Sequence, residues 1–300
     1  MVVHQHRRPR RRAGEAVVAV CAALAVAALS ACGAASGTGT DGGSGPAGGS
    51  GPGGGSAKGA RDDRPPGDPA AAVRGAADAL TAAGSAQTRT AMEMATGGTR
   101  VTIRGEGGVD FRKRMGQLLV MLPADVKGQP EHRPITELLV PGALYMKNRG
   151  AGVPDDKWVR LDTTTLSDGN LVTGGATDPV AAAELLRGAQ EVTYVGETDL
   201  AGTKVRHYRG TTDIARAAQS ASPGVKGALE AAAKGFSKDS VPFDAYLDEE
   251  GRLRKVRHRF TYVKNGVIDV SSTTLLYGFG TPVTVVLPPS GDIYAGKIAE

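Results

Sequence analysis

Cysteine is nearly absent from this chain of 300 residues, which has only Cys21 and Cys32. Two cysteines are too few for a zinc or iron–sulfur site built from cysteine thiolates. Long apolar runs are also missing. The longest, residues 16–31, falls short of the ~20 residues that a membrane-spanning helix needs, which excludes a polytopic membrane protein. The composition, 40% apolar and 22% charged, also excludes full disorder and suffices for one substantial core or two small ones.

The positive charge of the chain is concentrated at its start. The formal net charge is +5, but residues 1–31 hold five arginines and one glutamate, so removing them leaves +1. A nearly neutral remainder lacks the electrostatic signature of a nucleic-acid-binding protein. We therefore expect no nucleic acid among its partners.

Residues 1–31 have the order of a secretory signal, with a basic start, a short apolar stretch and small residues at the end. The stretch ends in Leu29-Ser30-Ala31-Cys32, which resembles the lipobox of bacterial lipoproteins. The resemblance implies a diacylglyceryl group on the Cys32 thiol, cleavage before it, and anchoring at the outer face of the cytoplasmic membrane. The alternative is an uncleaved signal anchor. The basic cluster leaves open whether export is by the general or the twin-arginine route.

Residues 32–68 are predicted to be the lipidated Cys32 and a flexible tether that follows it. Residues 33–60 contain 13 glycines among 28 residues and have no apolar period, which is typical of a flexible linker. A Gly-rich tether of this length has an r.m.s. span of roughly 30–36 Å. It would keep the following domain, residues 69–300, close to the membrane.

The domain is predicted to be α+β, a large curved antiparallel sheet forming a half-barrel, with helices packed on its concave face. Asp68 and Asp178 each precede a proline and are predicted to cap helices; further helices are predicted in residues 213–236. Alternating segments separated by turn residues predict about ten hairpin-linked strands. Turns are expected at residues 105–108, which include Gly107 and Gly108, and at 248–251 and 264–266. The last strand is expected at 282–287.

The order of these segments resembles the LppX/LprG-type lipoproteins of actinobacteria, which share a fold with the LolA and LolB carriers. The resemblance covers most of residues 69–293. It implies a half-barrel whose concave face holds acyl chains, and lipid or lipoglycan carriage without catalysis. The resemblance rests on the lipobox, the tether and several strand-like segments. These segments are ALYMK at 143–147, KWVRLD at 157–162, and residues 195–198, 202–208, 243–248, 251–256 and 282–285.

Signatures of catalysis are missing from the sequence. No serine lies between glycines at both −2 and +2, and there is no Ser-x-x-Lys or His-Glu-x-x-His motif. Beyond the signal, the histidines His132, His207 and His258 are widely spaced. We therefore expect no enzyme, no metal site and no cofactor. A glycosidase-like pair of carboxylates stays open, because acidic residues are plentiful.

Apolar residues on alternating strand positions are the candidate ligand pocket, although each could equally be ordinary core. The function expected is a lipid-binding, monomeric envelope lipoprotein that carries or presents its ligand, with an export protein as a further partner. The alternative is a sensor or scaffold that binds a partner protein. A basic strand at 252–259 is interpreted as a solvated face rather than a headgroup site. The pocket candidates are Met92, Met94, Val101, Ile103, Leu144, Met146, Phe243, Ala245, Leu247, Val256 and Phe260.

Overall fold

A computed structural model describes residues 67–296, except 97, 124–132, 150–151, 173–176, 237, 239 and 264–266. Cys32, the signal, the tether up to residue 66, His132 and the turn at 264–266 therefore lie outside the described residues. The helices are α1 (Pro69–Arg74), α2 (Ala76–Ala83), α3 (Pro179–Leu185), α4 (Ile214–Ser220) and α5 (Pro223–Gly235). The strands are β1 (Ser85–Thr96), β2 (Thr99–Asp110), β3 (Met115–Met121), β4 (Ile135–Val140), β5 (Ala143–Lys147), β6 (Trp158–Asp162), β7 (Ala189–Leu200), β8 (Thr203–Asp213), β9 (Ser240–Leu247), β10 (Leu253–Val263) and β11 (Val267–Tyr277).

The helix starts follow from their capping residues. The Asp68 carboxylate accepts a hydrogen bond from the Ala70 amide, and that of Asp178 accepts one from Val180. In both helices proline occupies the first turn, where its missing N–H costs nothing. Both predicted starts are confirmed. The first helical segment is interrupted at Gly75, so α1 and α2 are separate short helices.

All eleven strands form one open antiparallel sheet in the order β6-β5-β4-β3-β2-β1-β11-β10-β9-β8-β7. Two meanders, β1 to β6 and β7 to β11, are joined where β1 pairs with β11. Gly251 donates its amide to the Asp248 carbonyl, which confirms the turn between β9 and β10. An open sheet of this size curls rather than staying flat.

The helices pack on one face of the sheet, here called the inner face. A single apolar cluster contains Leu80 of α2, Leu185 of α3 and Leu229 of α5 together with Phe243 and Val256 of the sheet. This arrangement confirms the predicted α+β class, a large antiparallel sheet with a few helices on one side.

The predicted turn at Gly107-Gly108 is wrong, because both glycines lie inside β2. Gly107 pairs with Thr88 on one side and Leu118 on the other. A Cβ on Gly107 would lie 1.9 Å from the Gln117 carbonyl oxygen. The glycine is therefore needed for close approach of two strands, not for a turn.

Two further differences separate the structure from the prediction. Residues 282–287 are not a strand, although Val283 and Val285 flank Thr284 in alternation; Val283 instead packs beside Gly108. Further along the same segment, Ile293 bridges to Trp158 at the edge of β6. β4 was not predicted, because both of its faces are largely buried and the alternation typical of a half-exposed strand is weak.

Candidate functional site

The eleven predicted pocket residues all lie on the inner face. Residues directly opposite each other in an antiparallel pair share a face. Met92 lies opposite Ile103, Met94 opposite Val101, and Phe260 opposite Val270, which is itself opposite Met94. The alternation of each strand and the remaining pairings put the others on the same side.

These residues belong to two apolar clusters that meet at Met94. The larger, beneath the helices, contains Met92, Phe243, Ala245, Leu247, Val256 and Phe260. The smaller lies on β2 to β6 and contains Ile103, Leu144 and Met146, with Val101 packed against it. Met94 packs against both clusters, so the apolar face is continuous across the sheet. Whether it binds a ligand stays a prediction.

A small cavity lies between the sheet and the helices. It has a volume of about 30 Å³ and is lined by Leu139 and Leu144 of the sheet, Val180 of α3 and Val225 of α5. One ordered water needs at least about 10–15 Å³ by the same measure. The cavity therefore has room for about two waters and none for an acyl chain.

One wall of this cavity is a loop organised by Asp168, which is fully buried. Its carboxylate accepts hydrogen bonds from the amides of Asn170 and Val172. Asn170 lines the cavity and has a left-handed backbone with φ 64°, a conformation that asparagine tolerates better than most residues. Its side-chain oxygen is buried with no hydrogen-bond partner in the described part of the chain.

Glu137 is the one acidic side chain that the described strands carry fully buried on the inner face. It lies between Leu118 and Met146 on the neighbouring strands. Neither carboxyl oxygen has a hydrogen-bond partner among the described residues. Burial raises the Glu137 pKa to about 8, against a smaller lowering by the positive charge of Arg149. Asp178, which lines the cavity, adds a small upward shift of the Glu137 pKa through its negative charge, and burial raises its own pKa to about 6.

Polar side chains also interrupt the inner face at its centre. Thr88 and Thr90 of β1, Thr274 of β11 and His258 of β10 are at most 5% exposed. Strand alternation puts Thr88 and Thr90 on the same face as Met92 and Met94, so their place on the inner face could be predicted from the sequence. His258 was interpreted only as one of three scattered histidines. Burial lowers its pKa to about 3, so the ring is neutral at pH 7.

The opposite, outer face carries a charged cluster around Asp244. This carboxylate accepts hydrogen bonds from His207 (2.8 Å), Arg209 (3.0 Å) and Arg259 (2.6 Å). Burial raises the Asp244 pKa, but the three hydrogen bonds outweigh it and lower the pKa to about 2. In the turn that follows β9, Asp248 pairs with Arg252. Carboxylates therefore balance much of the basic strand, in agreement with the solvated-face interpretation.

The described residues offer neither a metal-ligand cluster nor a membrane-spanning helix. No group of three or more histidine, cysteine, aspartate or glutamate side chains there is arranged to hold a metal ion. Over those residues, too, every helix is too short or too polar to cross a bilayer.

No protein-family model and no curated protein sequence matches the chain. Solved structures do match. The lipoprotein LppX of Mycobacterium tuberculosis is 12% identical, with a TM-score of 0.43, over 72% of this chain and 97% of LppX. LprF of Mycobacterium bovis is 14% identical, with a TM-score of 0.38, over 73% and 96%. A LolA superfamily protein of Nitrosomonas europaea is 12% identical, with a TM-score of 0.31, over 69% and 93%.

LppX and the LolA superfamily are groups that the sequence resembles. Similarity at this level concerns the fold only. The function of the chain has to be argued from its own residues.

Proposed function

We propose that this protein is a membrane-anchored lipoprotein of the cell envelope that binds a hydrophobic ligand on the inner face and carries or presents it without catalysis. The observation that carries the proposal is the continuous apolar face, which crosses the sheet and whose larger part lies beneath short helices. Moving acyl chains from a bilayer to this face would hide about 0.8 kcal/mol per CH₂ from water.

The helices that cover the inner face are suited to moving away from it. Alanine is the commonest residue in each of the five described helices. An alanine buries a single methyl group, so the alanine positions contribute little packing against the sheet, although Leu80, Leu185 and Leu229 are fully buried. Breaks at Gly75 and at Ser222 divide the cover into short pieces. We propose that these short, alanine-rich pieces open locally at a lower free-energy cost than the strands do.

The cavity beside Leu139 and Leu144 has a volume of about 30 Å³ and is water-sized. An acyl chain would therefore have to displace part of the helical cover to bind there. Met94 and Val101, which lie opposite each other near the end of β1, are only partly buried. We propose that the ligand enters at this end of the sheet.

The anchor and the tether complete the proposal. Lipidation of Cys32 would hold the protein at the outer face of the cytoplasmic membrane, and residues 33–68 would let the domain reach that membrane. The donor of the ligand would then be the bilayer to which the protein is attached.

A scaffold that binds a partner protein is the second candidate. The observation that favours it is on the outer face, where Leu119 and Met121 of β3 are 41% and 38% exposed. Two neighbouring apolar side chains that face solvent can form part of a contact with another protein.

Native mass spectrometry distinguishes the two functions. Residues 33–300 are incubated with phospholipid vesicles and separated from them. A bound mass that extracts into organic solvent supports lipid binding, whereas a clean ligand-free mass contradicts it and favours the scaffold. Val101→Arg, which puts a charge on the inner face at a partly exposed position, should reduce uptake. Thr102→Arg is the matched control, since Thr102 is the next residue on β2 and faces the other side.

A further inference from the structure

Four polar side chains at the centre of the inner face form what we call the hydroxyl patch: Thr88, Thr90, Thr274 and His258. The hydroxyl oxygens of the three threonines and Nε2 of His258 are buried, and none has a hydrogen-bond partner among the described residues. Thr90 lies directly opposite Thr274 in the pairing of β1 with β11. Thr88 is two residues away on the same side of β1, and His258 pairs with Ser272, two residues before Thr274.

The patch is not what an ordinary core requires. A buried hydroxyl without a partner loses its hydrogen bonds to water and gains none in return. Valine has nearly the shape of threonine and would fill these positions without that cost. The neighbours of the patch on the inner face, Met92, Val256 and Leu276, are apolar and buried. The unpaired groups are thus concentrated in one place, among these apolar side chains and next to Ser272, whose hydroxyl is paired with that of Thr177.

On β2, no side chain lies directly opposite the two threonines of β1. Thr88 lies opposite Gly107 and Thr90 lies opposite Gly105. α2 and α3 pack over the adjoining strands. A ligand that displaces these helices would therefore meet the threonine hydroxyls directly.

The chemistry of the patch defines the group that it can receive. Its side chains carry no charge at neutral pH, because threonine does not ionise there and His258 is neutral. The three hydroxyls can donate to an acceptor that brings no charge into an apolar region. An ester carbonyl is such an acceptor, and in a lipid it lies directly at the end of the acyl chain, between the chain and the headgroup.

We propose that the hydroxyl patch binds the ester linkage of an acyl-ester lipid, with the threonine hydroxyls donating to its carbonyl oxygens while the acyl chains lie along the apolar inner face. This inference rests on the proposed function, because it assumes that the inner face binds a lipid. It adds that the ligand is recognised by its linkage as well as by its chains.

The test uses two phosphatidylcholines of equal chain length, one with two ester linkages and one with two ether linkages. They differ in the carbonyl oxygens and share the headgroup. Residues 33–300 are incubated with mixed vesicles, and the two bound masses are compared by native mass spectrometry. One or two hydrogen bonds predict about a tenfold preference for the ester lipid. Equal binding of the two lipids overturns the inference and leaves the proposed function standing, whereas uptake of neither overturns both.

Variants assign the preference to the patch. Thr90→Val with Thr274→Val should bring the ratio of bound ester lipid to bound ether lipid down to about one. The melting temperature of the ligand-free double variant should be equal or higher, which a purely structural role would not produce. Serine at both positions keeps the hydroxyls and should restore the preference. Thr273→Val, on the outer side of β11, is the matched control. A tenfold preference that survives in the valine variant overturns the inference.

Discussion

Thr177 and Ser272 are joined by a hydrogen bond between their hydroxyl oxygens, which lie 2.6 Å apart in the buried interior. Thr177 immediately precedes the cap of α3, and Ser272 lies on the inner face of β11, next to the hydroxyl patch. This hydrogen bond therefore connects the helical cover to the face that we propose as the binding surface.

A disulfide at this position should lock the cover. Each hydroxyl oxygen is one bond from its Cβ, so Thr177→Cys with Ser272→Cys brings two sulfurs within reach of each other. Residues 33–300 contain no other cysteine. We expect the oxidised double variant to take up less than about a tenth of the phospholipid that the wild type binds in native mass spectrometry, and reduction to restore uptake.

Each single cysteine variant serves as the control for this lock, because it makes the same substitution without the cross-link. Equal uptake by the oxidised and the reduced double variant would show that the ligand reaches the inner face without separating Thr177 from Ser272. The proposed opening of the cover at α3 would then be wrong.

Glu137 should make the protein less stable as the pH rises. Its pKa is about 8 in the folded chain and 4.5 for an unperturbed glutamate. The folded state thus holds a proton that the unfolded state has lost, and stability falls between these two values. Asp178, with a pKa of about 6, shifts stability in the same direction but only at lower pH. Between pH 6 and 8, Glu137 should lower the free energy of unfolding by up to about 1.4 kcal/mol per pH unit.

Chemical denaturation of Glu137→Gln measures this contribution. The glutamine is neutral at every pH, so the free energy of unfolding should change little between pH 6 and 8 while that of the wild type declines. The variant should therefore be the more stable protein at pH 8. Parallel curves for both proteins would contradict a raised pKa at Glu137.

The fold was predictable from the sequence largely because strand alternation and turn chemistry are local signals. Asp68 and Asp178 cap their helices through contacts two residues away, and Asp248 and Gly251 close a turn within four residues. Gly107 was misread because glycine in a strand and glycine in a turn look alike in sequence. Only the pairing with Leu118 shows that a strand needs it.

The candidate site was predictable in part for the same reason. Alternation identified the apolar residues of the inner face, but it gives no information on whether a polar residue there has a partner. Thr90 and Thr274 are far apart in the chain and become neighbours only through the pairing of β1 with β11. Glu137 was missed together with its strand, since β4 lacks a clear alternation.

His258 should destabilise the folded state as the pH falls. Its pKa is about 3 in the folded chain, against 6.5 for an unperturbed histidine. Between these values the unfolded state binds a proton that the folded state does not, so stability is present above pH 6.5 and declines as the pH falls toward 3. His258→Gln cannot titrate. As the pH is lowered from 7 to 4, the melting temperature of the wild type should therefore fall relative to that of this variant. A constant difference between the two would contradict the prediction.

Gly107→Ala should destabilise the sheet without touching the ligand chemistry. The added Cβ would overlap the Gln117 carbonyl oxygen, so β2 and β3 would have to separate. Overpacking of this kind costs about 1–3 kcal/mol, which thermal unfolding would detect. Gly291→Ala is the matched control, because a Cβ there has no atom within 4 Å and the φ is not positive. Equal melting temperatures for the two variants would contradict the close approach of the strands.

Asp244→Asn should separate the roles of the two faces of the sheet. The asparagine keeps the size of the side chain but removes the charge that His207, Arg209 and Arg259 share. The side chains of Arg209 and Arg259 are 63% and 44% exposed, so water screens much of the lost attraction. We expect the free energy of unfolding at pH 7 to fall by about 1–2 kcal/mol.

Because the Asp244 pKa is lowered to about 2, this stabilisation is present above pH 4 and is lost as the pH falls through 2. The difference in melting temperature between the wild type and Asp244→Asn should therefore shrink as the pH is lowered toward 2. Lipid uptake at pH 7 should be unchanged, since Asp244 faces away from the inner face, and a matching loss of uptake would mean that the outer cluster also contacts the ligand.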